Sequence, residues 1–358
     1  MCVERGRAGH PPNAGILQLS PDPDPSSPPP PVPDHGDHAP ERPSLRALRR
    51  GLEEVFVAEI AVRGPLRVAA RRENPRSSTY VADVVLVCFA DGSSERVLCK
   101  FSHGAVLTPP TPHRGLAFEV AVYRDVLREA PPPLPRFWGG FTDAETGDFV
   151  LVMRFYPEAL TAAQAPDNRG VHALIDWLAA FHAWGEGRVA DPTWGFLPRL
   201  DAPVHEAWLA HTLAMAGPAA RGQPWLDRAA AAYRDRIPLL ATAPPTLIHG
   251  ELTTRNGIWT EGRVLPIDWE TAAIGPGEID LAVFTYDWHP DDLREIEARY
   301  VQARWNGSAP TGFAETLLAA RVYVAFHWLF GDATECDADR VTAHLEALHA
   351  ELRRFGLV

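Results

Sequence analysis

The stretch Thr246–Asp280 gathers side chains that could do phosphate chemistry: Glu251, Asn256 and Asp268. Ile258–Thr260 and Arg263–Ile267 read as short strands that reverse at Glu261-Gly262. Asn256 and Asp268 lie six residues on either side of Gly262, so a hairpin centred there makes them neighbours. An amide oxygen and a carboxylate at one point are hard ligands. With Glu251 just upstream, they suit Mg²⁺ held together with a phosphorylated substrate.

Such a site wants a cation, and the sequence offers an unusual one. Of 34 basic residues, Lys100 alone is lysine. A bias that replaces Lys wherever Arg serves leaves a compact ammonium where a forked guanidinium does not fit, as beside nucleotide phosphates. The plain alternative is a strand-end surface charge.

These residues must be positioned by elements, and the sequence predicts two kinds. Ser44 precedes an amphipathic helix carrying Leu45, Leu48, Leu52 and Val55. Residues 58–102 read as antiparallel strands, with Val81–Phe89 and Arg96–Phe101 flanking the turn Asp91-Gly92, so the second strand delivers Lys100. The polar loop 74–80 lies between strands, and a His- and Pro-rich connector spans 103–114. A helix over Leu116–Leu127 carries Glu119, Pro131–Pro135 ends it, and Phe149–Phe155 is a buried-type strand. Beyond it the pattern turns helical, with Leu174, Ile175, Leu178 and Phe181 on one face. Further helices are expected over 204–215, 224–237, 290–304, 313–330 and 338–354. The fold class is therefore α+β in two lobes: a small sheet lobe with one helix over 46–155, and a larger helical lobe over 156–358, joined near Arg154–Glu158. Residues 1–45 hold 12 of the 35 prolines without hydrophobic periodicity and are expected to be a disordered tail.

Composition narrows the function. A net charge of −12 and a pI near 5.6 argue against nucleic acid or an anionic membrane as partner and lean towards a cationic acceptor. No apolar run reaches the length of a membrane span, and no signal-peptide core opens the chain, so a cytoplasmic location is expected. Cys2, Cys88, Cys99 and Cys336 show no metal spacing. Cys88 and Cys99 could face each other across strands, but reduced thiols are the expectation. The chain lacks a Walker A loop, a strand-borne G-x-G-x-x-G, H-E-x-x-H and G-x-S-x-G.

The ordered set Lys100, Glu119, Glu251, Asn256, Asp268 resembles the aminoglycoside phosphotransferase (choline-kinase-like) branch of the protein-kinase-like superfamily. That branch carries a catalytic loop H-G-D-x-x-x-x-N, here His249-Gly250-Glu251 followed by Asn256, and a metal loop, here Ile267-Asp268-Trp269-Glu270. The run Gly275–Ala282 also matches. The resemblance implies a two-lobed kinase-like fold and an ATP-dependent O-phosphotransferase, with GTP as alternative donor, acting on a small hydroxylated molecule such as an aminoglycoside, amino alcohol or sugar. It implies that Lys100 meets the nucleotide phosphates and is held by Glu119, and that Asn256 and Asp268 hold Mg²⁺. Glu251 then takes or orients the proton of the acceptor hydroxyl, and Arg255 adds charge near the transferring group. The Arg154–Tyr156 backbone meets the adenine edge, and Ser77 and Ser78 lie over the phosphates.

Bland readings stand beside these. Ser77 and Ser78 also suit an ordinary turn, Arg255 a surface, and Glu270 a salt bridge as well as a second metal. His249 reads as a structural imidazole, Trp269 as core, and Asp280 as a tie between its loop and the next helix. Glu278, Asp287, Asp291 and Asp292 are candidates to meet the acceptor. The departure that matters is Glu251, where the family usually has Asp. It keeps the carboxylate but reaches one methylene further, which leaves a weak or silent nucleotide-binding module as the alternative function. A protein kinase is disfavoured, because no A-P-E-like segment follows Asp268.

Overall fold

Lys100 owes its direction to strand alternation. The computed structural model describes residues 42–74, 80–102, 113–220, 223–286, 288–333, 338–354 and 356. The first elements are helices α1 (Leu45–Val55) and α2 (Val57–Arg63) and strands β1 (Leu66–Glu73), β2 (Val81–Phe89) and β3 (Ser94–Phe101). Helix α3 (Leu116–Ala121) follows and runs on through a π turn, Val122–Val126, and a 3₁₀ turn to Glu129. Strands β4 (Phe137–Thr142) and β5 (Phe149–Arg154) complete an antiparallel sheet ordered β1-β2-β3-β5-β4. Val97, Cys99 and Phe101 of β3 and Val150 and Val152 of β5 face a small core closed by Leu48, Leu52 and Phe56. The alternate residues Leu98, Leu151 and Met153 face the main core. Lys100 falls in this second register, opposite Leu151.

Short strand β6 (Leu160–Thr161) and helix α4 (Arg169–Glu186) open the second half, followed by α5 (Ala202–Ala220), α6 (Pro224–Arg234) and α7 (Ile237–Thr242). Strand β7 (Pro245–Ile248) then leads to the hairpin β8 (Gly257–Thr260) and β9 (Arg263–Pro266), and β10 (Ala273–Pro276) returns to pair with β7. Helices α8 (Glu278–Phe284), α9 (Pro290–Trp305), α10 (Phe313–Ala333) and α11 (Ala338–Arg354) end the chain. Trp269 is wholly buried and packs edge-on against Phe181 and Trp177 of α4, so the site loop is pinned to the helical core.

Several expectations need correction. Val57–Arg63 is helix, not strand; its apolar residues do not alternate, and Val57 and Val62 are exposed. Strand β4 was not foreseen, because Gly139-Gly140 lowers its strand propensity. Asp280 lies inside helix α8 rather than before a helix. Cys88 pairs with Ser94 and Cys99 with Asp83, so the two thiols do not face each other, and both are free. Order begins before residue 45: Arg42 pairs with Asp83 at 3.1 Å, and the Ser44 hydroxyl accepts from Ala47 N at 3.1 Å as the cap of α1. The rest of the expected tail and most of the 103–114 connector lie outside the described residues. So do Ser77, Ser78, Asp287, Cys2 and Cys336.

Candidate active site

Strand β3 and helix α3 bring Lys100 and Glu119 together, with Nζ 3.4 Å from Oε2. Lys100 also contacts the Asp268 carboxylate directly. The other Glu119 oxygen accepts from Trp269 N at 3.4 Å, so one buried acid ties the lysine to the backbone beside Asp268. Burial pushes the Glu119 carboxyl up to about 7 although Lys100 pulls it down. Burial would lower the Lys100 ammonium, but Asp268 and Glu119 outweigh it and hold the pKa above the usual range. Asp268 feels the same opposition, burial against Lys100, and ends below the ordinary value.

The hairpin places the remaining ligand candidates, one register away from the expected pairing. Its turn is Glu261-Gly262, both at left-handed φ (51° and 75°), so Thr260 pairs with Arg263 and Gly257 with Pro266. Asn256 therefore lies opposite Ile267, whose N–H donates to the Asn256 carbonyl at 2.8 Å, and Asp268 comes one residue later with φ 66°. The Asn256 amide nitrogen donates to the Glu251 carbonyl at 2.9 Å, which leaves the amide oxygen for another partner.

Glu251 is reached through a tight turn. Gly250 has φ 86°, and a Cβ there would stand 2.5 Å from the Thr271 carbonyl oxygen, so no other residue fits. Both Asp280 oxygens hold this turn, accepting from His249 N and Gly250 N at 2.7 Å each. The buried His249 ring donates from Nε2 to the Ile267 carbonyl at 2.8 Å, leaving Nδ1 to accept from Glu251 N at 3.3 Å. Burial pushes the Glu251 carboxyl up to about 7, with His113 pulling it down and Glu270 and Asp268 pushing it up. Such a group can take a proton near neutral pH.

Of the other candidates, Arg255 is exposed on the same loop, and its N–H donates to the Thr253 hydroxyl at 3.3 Å. At the connector, the Arg154 and Phe155 N–H groups donate to the carbonyls of Arg136 and Arg96. The Tyr156 hydroxyl accepts from Arg136 N at 3.1 Å. Glu278 is buried near Arg304 rather than open to an acceptor, whereas Asp292 is exposed. Asp291 lies in α9.

Sequence reasoning named Glu270, with a salt bridge among its readings, but missed its partners beside the site. The Tyr80 hydroxyl donates to Glu270 at 2.7 Å, and His113 Nδ1 lies 3.2 Å from the other Glu270 oxygen. Glu270 is thus engaged by residues from two separate segments of the sheet lobe. Its closeness to Asp268 was a usable signal; nothing in the sequence pointed to Tyr80 or His113.

A five-stranded antiparallel sheet with a helix-borne acid facing its lysine, set on a helical lobe that carries the loop and hairpin, defines a kinase-like phosphotransferase fold. Residues 76–315 match the family model described as the phosphotransferase enzyme family (APH), and the chain belongs to that family. No curated protein sequence matches it. Among solved structures, the GDP complex of wild-type aminoglycoside 2′-phosphotransferase-IIIa aligns with TM-score 0.58 at 13% identity, covering 85% of this chain and 98% of the other. Macrolide 2′-phosphotransferase MphH from Brachybacterium faecium aligns with TM-score 0.51 at 17% identity, covering 83% and 97%. A choline/ethanolamine kinase family protein from Mesorhizobium loti aligns with TM-score 0.53 at 13% identity, covering 84% and 92%. At these identities the likeness is one of fold.

Proposed function

We propose that this phosphotransferase moves the γ-phosphoryl group of ATP, with GTP as alternative donor, to a hydroxyl of a small molecule of the aminoglycoside, amino-alcohol or sugar kind. The observation that carries the reading is the convergence of Lys100, Glu119 and Asp268 beside the Gly250–Asn256 loop. Lys100 meets the donor phosphates and Glu119 orients it. The Arg154–Tyr156 backbone borders the adenine, with Ser77 and Ser78 assigned to the phosphate loop. Glu251 accepts the proton as the acceptor oxygen bonds to Pγ and the bond from Pγ to the β-phosphate oxygen breaks, releasing ADP. Arg255, exposed on this loop, adds positive charge.

Mg²⁺ fits the donor set. Asn256 has its amide oxygen free of the bond made by its nitrogen, and the Asp268 side chain is 35% exposed with one oxygen on Lys100. Two protein oxygens suit an ion that arrives largely coordinated by phosphates and water. When bound, it neutralises charge on the phosphates. The net charge of −12 supports a cationic acceptor, with Asp292, exposed on α9, among the groups that could meet it. Two lobes, 46–155 for the nucleotide and 156–358 for catalysis and acceptor, and a cytoplasmic location complete the proposal. No helix among the described residues is long and apolar enough to cross a membrane.

The test is phosphorylation of a panel of hydroxylated metabolites with ATP or GTP and Mg²⁺, read by mass spectrometry. Absence of nucleotide binding and of turnover, with Lys100→Ala indistinguishable from the parent, contradicts the proposal. One observation favours a second reading, a catalytically weak nucleotide-binding module: Glu251 occupies the place of the family's usual Asp. That reading expects a thermal shift with ATP but no acceptor turnover, and none restored by Glu251→Asp.

A further inference from the structure

Asp280 does more than hold the Glu251 turn; it is one end of a buried hydrogen-bonded chain running away from the site. Its Oδ2, which accepts from His249 N, also lies 3.1 Å from His182 Nε2. A carboxylate only accepts, so Nε2 carries the proton and His182 Nδ1 is the acceptor. Nδ1 is 2.7 Å from the Tyr300 hydroxyl, which must donate to it. The phenol oxygen then offers only lone pairs, and the Arg304 guanidinium donates to it while also pairing with Glu186. Every proton in the chain is thereby placed, all pointing from Arg304 towards Asp280.

The chain is sealed from water. Asp280, His182 and Tyr300 are fully buried, and the Arg304 side chain is 2% exposed. Burial, opposed by Asp280, holds His182 below its ordinary pKa, in keeping with a neutral ring that donates once and accepts once. Packing leaves no slack: a Cβ on Gly277 would stand 2.6 Å from His182 Nδ1 and 2.7 Å from an Arg304 nitrogen. In a dry interior such a chain has one arrangement, and removing one member leaves its neighbour unsatisfied.

We infer that Tyr300 and Arg304 are positioning residues for phosphoryl transfer: through His182 and Asp280 they fix the backbone at Gly250 and hence the place of Glu251. The inference rests on the proposed function for its kinetic consequence, but not for its structural one. It separates from a merely stabilising network because a stabilising network has no reason to act selectively on the His249–Gly250 amides or on kcat.

The experiment compares the full-length chain with Tyr300→Phe, which keeps the ring, and with Arg304→Gln and Arg304→Lys. Amide hydrogen exchange at His249 and Gly250 is expected to speed up by about 10-fold or more in Tyr300→Phe, beyond the change at core amides of α10. With Mg²⁺ and ATP, kcat is expected to fall by about 10- to 100-fold, as a displaced group demands. KM for ATP should stay within about 3-fold. Arg304→Lys, whose longer side chain carries its ammonium closer to the phenol than the amide of Arg304→Gln, should recover part of what the Gln variant loses; should Tyr300→Phe not fold, the Arg304 pair carries the test. Unchanged exchange at His249 and Gly250 overturns the inference whatever the activity, and so does faster exchange with unchanged kcat. If the parent chain itself shows no turnover, the phosphotransferase reading falls, and exchange alone still decides the chain.

Discussion

Lys100 is held by two carboxylates, Glu119 at 3.4 Å and Asp268 in direct contact, with its side chain 12% exposed. Lys100→Ala leaves the buried Glu119 without its cation, so a stability loss of about 3 kcal/mol is expected in denaturant titration. The same variant should lose the thermal shift with Mg²⁺–ATP; a retained shift would count against its role at the phosphates. Glu251→Gln removes the proposed proton acceptor but keeps the shape, and kcat should drop by about 100-fold or more. Glu251→Asp keeps the carboxylate one methylene short and should stay above the Gln variant; equal kcat for Gln and parent contradicts the assigned role. Lys100 was legible because it is the sole lysine, and Asn256, Asp268 and Glu251 because their spacing forms a motif. Tyr80 and His113 were not, since only folding brings them from separate segments to Glu270.

At the scale of elements, the amphipathic helices could be read because their apolar faces repeat at helical spacing, and β5 because both of its faces are buried. What escaped reading depended on context. Strand β4 is held by its β5 partner despite its glycines, and α8 is apolar or buried on every side, so it has no periodicity to detect. The hairpin was read correctly but centred half a residue off: a two-residue turn puts its axis between Glu261 and Gly262, so Asn256 lies opposite Ile267 rather than Asp268. Two elements can be tested locally. Ser44→Ala removes the α1 cap and should cost about 1 kcal/mol with activity unchanged. Gly250→Ala forces a Cβ to within 2.5 Å of the Thr271 carbonyl and should lower kcat far more than Ser44→Ala does. Equal effects of the two on kcat would contradict the role given to the Gly250 turn.

For the molecule as a whole, acid should destabilise through buried neutral histidines. Burial lowers both His205 and His327 from 6.5 to about 4. Between those values the unfolded chain binds the extra protons, so stability falls as pH drops from about 6.5 to about 4, by about 3 kcal/mol per histidine. A denaturation midpoint that stays flat from pH 7 to pH 4 would contradict this. The central claim concerns the lobes acting together, a lysine from the sheet and a carboxylate from the helical half meeting one nucleotide. It is tested most directly by incubating the full chain with Mg²⁺, ATP and a panel of hydroxylated acceptors, and following phosphorylated product and ADP together. Equal release of ADP and phosphorylated acceptor, lost in Lys100→Ala and cut by about 100-fold or more in Glu251→Gln, is the predicted result; no product from any acceptor, or product undiminished in both variants, would contradict it.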